Sequence, residues 1–380
     1  MIYESALWAR HHQISILKNK FFSQAELERT TMVNWITNIT PEKNKHNADS
    51  GFVANNDMTG FALEIGFQKI DYIRYDDPQF TEEEMMLIVK EQLAAVKKGD
   101  NVFVQFPTWQ RLKIESLFFQ RLFELGVNVS LVIWDVLPWL HDGSERDFTN
   151  EYAFRLMNKC DLLIVPNKKM ALRLQTEAKV TTKMISIDLW DYKIKEQDLP
   201  RKKFEEKLFF VGTLDKTDFT LYKKNYPLNL IGNIRGLSEE ERQQKNLHIL
   251  GEKRNEEIPR ILDGGFGLVS YKAGTNKNRF KGAEKYGHYN NPLKLSLYLA
   301  AGLPVIVDSN SAHADFVRKQ NIGIVLEDIN NIDLLFQYLT EEDYQKMCIN
   351  VEKLANLITH GHFSKYALQQ AIDTLKEEKL

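Results

Sequence analysis

Cysteine is scarce. Cys160 and Cys348 are the only two in 380 residues, too few for a disulfide framework or a cysteine-rich zinc site. Long apolar runs are missing as well. No stretch approaches the ~20 consecutive apolar residues a membrane-spanning helix requires, so no integral membrane segment is expected. Neither sign of charge is in surplus. Lys plus Arg number 50 against 52 Asp plus Glu, a net charge of -2, which argues against nucleic acid as a partner held by bulk positive charge. The opening residues, Met1 to Gln13, lack the basic-then-apolar layout of an export signal. His11-His12 and His360-x-His362 come without clustered acids or cysteines, the pattern of surface histidines rather than metal ligands. Solenoid-length repeats and low-complexity tracts do not occur. What remains is a cytoplasmic globular protein, with 43% hydrophobic residues to build a sizeable core.

Short β-branched apolar runs alternate with helix-length amphipathic segments along most of the chain. The expected strands are Val33–Ile39, Asn101–Phe106, Val127–Trp134, Leu162–Val165, Met184–Ile187, Leu208–Val211, Leu228–Ile231, Leu247–Leu250, Phe266–Ser270, Pro304–Val307 and Gly323–Val325. Helical patterns lie between several of them, among them Glu82–Lys97, Ile114–Leu125, Asn167–Glu177 and Asn291–Ala301. Such alternation reads as right-handed crossovers in parallel sheets. There are too many strands for one open sheet, so the fold class expected is α/β with two Rossmann-like, doubly wound domains. Between Tyr192 and Lys207 the pattern gives way to charge and Pro200, the composition of a linker. The division expected is residues 1–191, with 1–30 as an extension, then 192–365. A C-terminal helix over 366–380 would pack back on the first domain. After Glu341 two helices are expected, punctuated by Gly361.

Three segments could carry chemistry. In Tyr289-Asn290-Asn291-Pro292-Leu293-Lys294, Asn followed by Pro is an N-cap and first-turn pair, because proline's missing N–H would be an orphan donor there anyway. Gly302 ends that helix before the next strand. The helix start combines free N–H groups, a positive dipole end, two amides and Lys294, an anion site suited to a diphosphate. A well-capped helix with a solvated lysine has the same pattern, and spacing alone does not separate the two. The second segment, Phe210-Val211-Gly212-Thr213, ends a buried strand in a glycine. That glycine serves a close-approaching ligand or a tight turn. In the third, Gly264-Gly265-Phe266-Gly267 looks like a dinucleotide fingerprint but precedes its strand instead of following it, so that reading fails on context. A basic loop of lid length follows, from Lys272 to His288. Trp134 and Trp139 could stack on a sugar ring, although tryptophan at a strand end is commonly core.

Together these segments resemble the bacterial glucosyltransferase 3-like and galactofuranosyltransferase-like enzymes. The resemblance runs from about Val33 to the end. It is carried by Ala54-x-x-Asp57 with Gly66-Phe67, by Gln105-Phe106-Pro107-Thr108-Trp109, by Pro166-Asn167-Lys168-Lys169-Met170 and by Trp190-Asp191-Tyr192. It continues through Phe210-Val211-Gly212-Thr213-Leu214-x-Lys216, Gly265-Phe266-Gly267-Leu268-Val269 and Asn290-Asn291-Pro292-x-Lys294-Leu295-Ser296-Leu297-Tyr298. Order and spacing make the set specific where single motifs are weak.

The resemblance implies the GT-B architecture and a UDP-sugar-dependent glycosyltransferase. The hexose, glucose first or else another hexose or N-acetylhexosamine, would be added to O-linked N-acetylglucosamine on serine-rich repeat adhesins, by a cytoplasmic homo-oligomer. It implies that Gly212, Thr213, Lys216, Tyr271, Tyr289, Asn290, Asn291 and Lys294 bind the donor, and that Asn56, Thr108 and Trp109 bind the acceptor. Asp135 is the first candidate for general base and Asp57 the second. Helix dipole and lysine would meet the charge on the leaving diphosphate, so no metal or other cofactor is expected. Three positions depart from the family pattern. Trp134 and Leu293 each stand where His is usual, and Ser270-Tyr271 stand where Trp plus an acid are common. A transferase building surface polysaccharide on a lipid-linked acceptor and a non-catalytic partner of another glycosyltransferase are the alternatives.

Overall fold

Runs such as Asn101–Phe106, buried at every position, can satisfy their backbone groups only inside a sheet covered on both faces. The computed structural model describes residues 32–41, 50–74, 79–140, 150–194, 199–222, 226–272 and 282–377. The expected N-terminal extension, much of the lid-length loop and part of the linker lie outside these. Two six-stranded sheets result, with orders β2-β1-β3-β4-β5-β6 and β12-β11-β10-β7-β8-β9. The first comprises β1 (Asn34–Pro41), β2 (Gln68–Arg74), β3 (Asn101–Phe106), β4 (Asn128–Ile133), β5 (Leu162–Val165) and β6 (Met184–Ser186). The second comprises β7 (Lys203–Val211), β8 (Leu228–Ile231), β9 (Leu247–Gly251), β10 (Gly264–Val269), β11 (Val305–Asp308) and β12 (Gly323–Leu326). Every pairing is parallel. This is the doubly wound α/β architecture expected, with ligands favoured at the strands' carboxyl ends.

Two strands differ from expectation for a physical reason. β2 reads Gln-Lys-Ile-Asp-Tyr-Ile-Arg and buries only Ile70 and Tyr72; as an edge strand it needs few apolar residues. β7 begins at Lys203, inside the charged stretch read as linker, and is buried only from Leu208 onward. The helix expected over Asn291–Ala301 starts later, at Leu293, with Pro292 as its N-cap.

The last helix, His362–Glu377, leaves the second domain and packs against β5, β6 and the helix Ser50–Glu64 of the first. Ala367, Leu368, Ala371 and Ile372 join Ile36, Phe103 and Ile164 in one core. Gly361 turns the chain into it at φ 75°. The helix start is held by Asp191, whose carboxylate accepts the N–H of Phe363 (3.4 Å) and Ser364 (2.5 Å). Burial pushes the Asp191 carboxyl up to about 7 from its ordinary 3.8, against the pull of the Ser364 bonds. An acid raised on folding holds a proton that the unfolded chain releases. Its stabilising contribution is therefore complete below 3.8 and lost as the pH climbs through about 7. Asp191→Asn is expected to flatten the fall in melting temperature between about pH 4 and about pH 7. Parallel pH profiles for variant and wild type would show that Asp191 is not its source.

Candidate active site

Between the carboxyl ends of the two sheets lies a cavity of about 530 Å³. On the second-domain side, β7 delivers Gly212, Thr213 and Lys216, and the 293–300 helix delivers Lys294. Tyr298 sets that helix: its hydroxyl donates to Phe209 O (3.0 Å) and accepts the Val211 N–H (2.8 Å), tying the helix to the end of β7. Gly267 leaves the room, since a Cβ there would come within 2.3 Å of the Tyr298 ring. The fingerprint-like glycines of β10 are thus packing glycines. At the cavity floor, a Cβ on Gly232 would meet Gly212 O at 2.1 Å, so β7 and β8 end on paired glycines that keep the backbone open.

Lys294 is the central cation. Its Nζ stands 3.3 Å from the centre of the Phe210 ring and 4.6 Å from that of Tyr271. Burial holds its ammonium well below the ordinary lysine value, and the like charge of Lys216 adds to this. Asn290 lines the same cavity with its Oδ1 buried and without a hydrogen-bond partner. A buried acceptor of this kind costs free energy until a donor meets it. Two cations, open glycine backbone and an unmet amide oxygen converge at the start of the 293–300 helix, an arrangement that fits a diphosphate with a hydroxyl-bearing group attached.

The first-domain wall carries Asp135, just past the end of β4, together with Trp109, Trp134 and Trp190. Asp135 Oδ1 accepts from the Tyr286 hydroxyl of the other domain (3.1 Å), and that hydroxyl accepts the Val136 N–H (2.7 Å). Burial, then the charge of Asp135, raises the Tyr286 phenol, which stays protonated as a donor. Trp109 adopts φ 58° and sits near the Arg74 guanidinium, 5.6 Å from its ring centre.

Of the residues expected to form the site, Gly212, Thr213, Lys216, Tyr271, Asn290, Lys294, Trp109 and Asp135 share this cavity. Others stand elsewhere. Tyr289 does not line the cavity. Its ring packs 4.4 Å from the Arg173 guanidinium, which Trp139 approaches to 4.0 Å, and its carbonyl accepts from Asn167 (2.7 Å). Asn291 touches the cavity, but its amide is committed across the domain boundary. Nδ2 donates to Pro166 O (2.6 Å) and Asp188 O (3.2 Å), and Oδ1 accepts from Asn167 Nδ2 (2.7 Å). Thr108 is buried beneath the site; its hydroxyl donates to Glu115 and its carbonyl accepts from Tyr72 (2.8 Å). Asn56 and Asp57 line a neighbouring cavity of about 260 Å³. There Asp57 accepts the Lys193 N–H at 2.8 Å, so it does not share the cavity of Asp135.

Sequence reasoning missed Tyr286, Gly232 and Trp190. Tyr286 lies in a polar, basic stretch with no pattern to single it out. Among the described residues no group of three or more His, Cys, Asp or Glu side chains is placed to hold a metal ion. No helix among them is long and apolar enough to cross a membrane.

Residues 33–189 match the family described as "Glucosyltransferase 3-like, N-terminal domain", and 208–371 match "Glucosyltransferase 3-like, C-terminal domain". Glucosyltransferase 3 of Streptococcus gordonii is 30% identical over 339 residues, covering 88% of this chain and 98% of that protein. A beta-1,6-galactofuranosyltransferase of Escherichia coli (strain K12) is 25% identical over 299 residues, 75% of this chain and 82% of that one. Sucrose-phosphate synthase from Thermosynechococcus elongatus superimposes with a TM-score of 0.59 at 11% identity, covering 92% of this chain and 100% of that one. T4 phage BGT, solved with its UDP-glucose substrate, gives 0.54 at 11% identity over 90% and 100%. These likenesses show the GT-B fold.

Proposed function

Because the chain belongs to the glucosyltransferase 3-like family, and is thereby a glycosyltransferase of GT-B fold, we propose that it moves a hexose, glucose first, from a UDP-sugar to N-acetylglucosamine O-linked on a serine-rich repeat protein. The observation that carries this reading is Lys294, a buried ammonium facing Gly212 beside Lys216, with the unmet Oδ1 of Asn290 nearby. Such a group is costly to keep unless an anion joins it. The diphosphate takes that place, and Asn290 receives a donor hydroxyl from ribose or sugar.

Asp135 takes the proton from the acceptor hydroxyl as its oxygen bonds to the anomeric carbon. The bond from that carbon to the β-phosphate oxygen breaks, and UDP leaves with the electron pair. Lys294, Lys216 and the first N–H groups of the 293–300 helix meet the charge that develops there. The scheme calls for no metal. We place the enzyme in the cytoplasm as a homo-oligomer, dimer or tetramer. The 25% identity to a galactofuranosyltransferase favours one second reading, transfer to a lipid-linked acceptor in surface polysaccharide synthesis.

Incubating the protein with UDP-glucose, UDP-galactose or UDP-N-acetylglucosamine, and with either a glycopeptide bearing O-linked N-acetylglucosamine or a lipid-linked sugar, decides among these. Mass gain on the glycopeptide is expected, greatest with UDP-glucose. Gain on the lipid-linked sugar alone would favour the second reading. Absence of transfer, together with absence of any thermal shift from UDP, would leave the non-catalytic partner as the better account.

A further inference from the structure

One wall of the cleft is aromatic where its surroundings are polar. Trp134 lines the cavity half-buried, stacked on the fully buried Trp190 with ring centres 3.9 Å apart and planes tilted by 32°. Its indole N–H donates to Gln105 Oε1 at 3.0 Å. Gln105 cannot turn to release it, because its Nε2 donates to Thr37 O (2.7 Å), Thr59 Oγ1 (3.0 Å) and Asn55 O (3.1 Å). The ring is therefore fixed on one side by another indole and at its edge by a buried amide. Its single polar atom is occupied, so what it offers the cleft is an aromatic face. The next residue in the chain is Asp135.

We propose that Trp134 is the platform on which the acceptor sugar lies, the apolar C–H face of a pyranose ring against the indole and one of its hydroxyls toward Asp135. The inference rests on the transferase reading above and adds the residue that seats the acceptor ring, through an unobstructed C–H face of the pyranose. The acceptor, rather than the donor, is assigned here because Trp134, Trp190, Gln105 and Asp135 all belong to the first domain. The cations Lys294 and Lys216 stand on the second. An indole without a free donor cannot discriminate hydroxyl patterns by hydrogen bonding. It selects by shape and leaves regiochemistry to Asp135.

The test uses methyl β-N-acetylglucosaminide as acceptor, with UDP-glucose as donor, on the full chain. Trp134→Ala is expected to raise the acceptor KM about tenfold while the donor KM stays within about twofold, the loss set by one aromatic contact. Trp134→Phe, which keeps a ring, covers the case in which the alanine variant does not fold. Its acceptor KM is expected to rise less, by about threefold. Titrating the same glycoside without donor is expected to shift the indole emission of wild type and not that of Trp134→Phe. An unchanged acceptor KM with a lowered melting temperature, or an identical emission change in both proteins, would reduce Trp134 to a packing residue. Failure of UDP to bind would instead count against the donor site, since the emission titration needs no nucleotide.

Discussion

Lys294→Met should make the ligand-free protein more resistant to heat while cutting the stabilisation that UDP confers on wild type by about half or more. The two effects have one cause. In the free protein the Lys294 ammonium is buried over Phe210 and Tyr271 with the like charge of Lys216 acting on it. Exchanging it for an apolar side chain of similar length gains on the order of 1 kcal/mol. In the proposed complex the same ammonium would make charge-assisted contacts with the diphosphate, and their loss is expected to weaken UDP roughly 10- to 100-fold. At a UDP concentration ~100 times the wild-type Kd, wild type gains about 2.7 kcal/mol, and the variant should gain only about 0.4 to 1.4 kcal/mol. The sign with pH follows. A lysine lowered on folding leaves the unfolded chain with more bound protons between the lowered value and the ordinary 10.5, so stability of the free protein rises with pH across that window. The methionine variant lacks this rise. UDP favours the charged form, so within that window binding is expected to take up a proton and to weaken as the pH climbs. Calorimetry in buffers of different ionisation enthalpy measures that uptake, and buffer-independent heats across the window would contradict a lowered Lys294.

Asp135→Asn should abolish most turnover and leave the nucleotide site intact. Asparagine keeps an oxygen for the Tyr286 hydroxyl, which now bonds Asp135 at 3.1 Å, and the Val136 N–H still reaches that hydroxyl. The geometry therefore survives the exchange while the proton acceptor does not. A general base contributes about 10²- to 10⁴-fold, so kcat is expected to fall in that range with the UDP-induced thermal shift retained. A kcat within about tenfold of wild type would place the base elsewhere. Loss of both turnover and UDP binding would mean that Asp135 acts through the fold.

The frame of the molecule was plain from the chain itself because parallel strands buried on both faces announce themselves as apolar runs. β3, β5 and β8 coincide with the runs Asn101–Phe106, Leu162–Val165 and Leu228–Ile231. What escaped was set by position in the sheet: β2 at an edge needs few apolar residues, and β7 starts among charges before it enters the core. The site divides in a similar way. Lys294, Gly212 and Lys216 sit at element ends whose signals are local, and it is the family resemblance, not spacing, that anticipates their meeting. Asn291, Tyr289 and Thr108 lie within or beside the same motifs, yet their side chains turn to Asn167, Arg173 and Glu115. Asn167 and Arg173 are distant in sequence and Glu115 lies in the next helix, and no spacing rule reports any of the three. Tyr286 was hidden for the same reason, since its role depends on Asp135, far off in the chain.

Those distant ties bear on how relatives could exchange parts. The stretch from Ala283 to Asn291 is numbered with the second domain but fitted to the first. Tyr286 meets Asp135 and Val136, Tyr289 packs on Arg173, and Asn291 interlocks with Asn167 and Pro166. A hybrid joined near the middle of the chain would set one parent's tyrosine and asparagine against the other parent's strand ends. Exchange of donor specificity between family members should therefore succeed when this short stretch, and the closing helix His362–Glu377, travel with the first domain rather than the second. The unit of inheritance in such an enzyme is the seam, not the half.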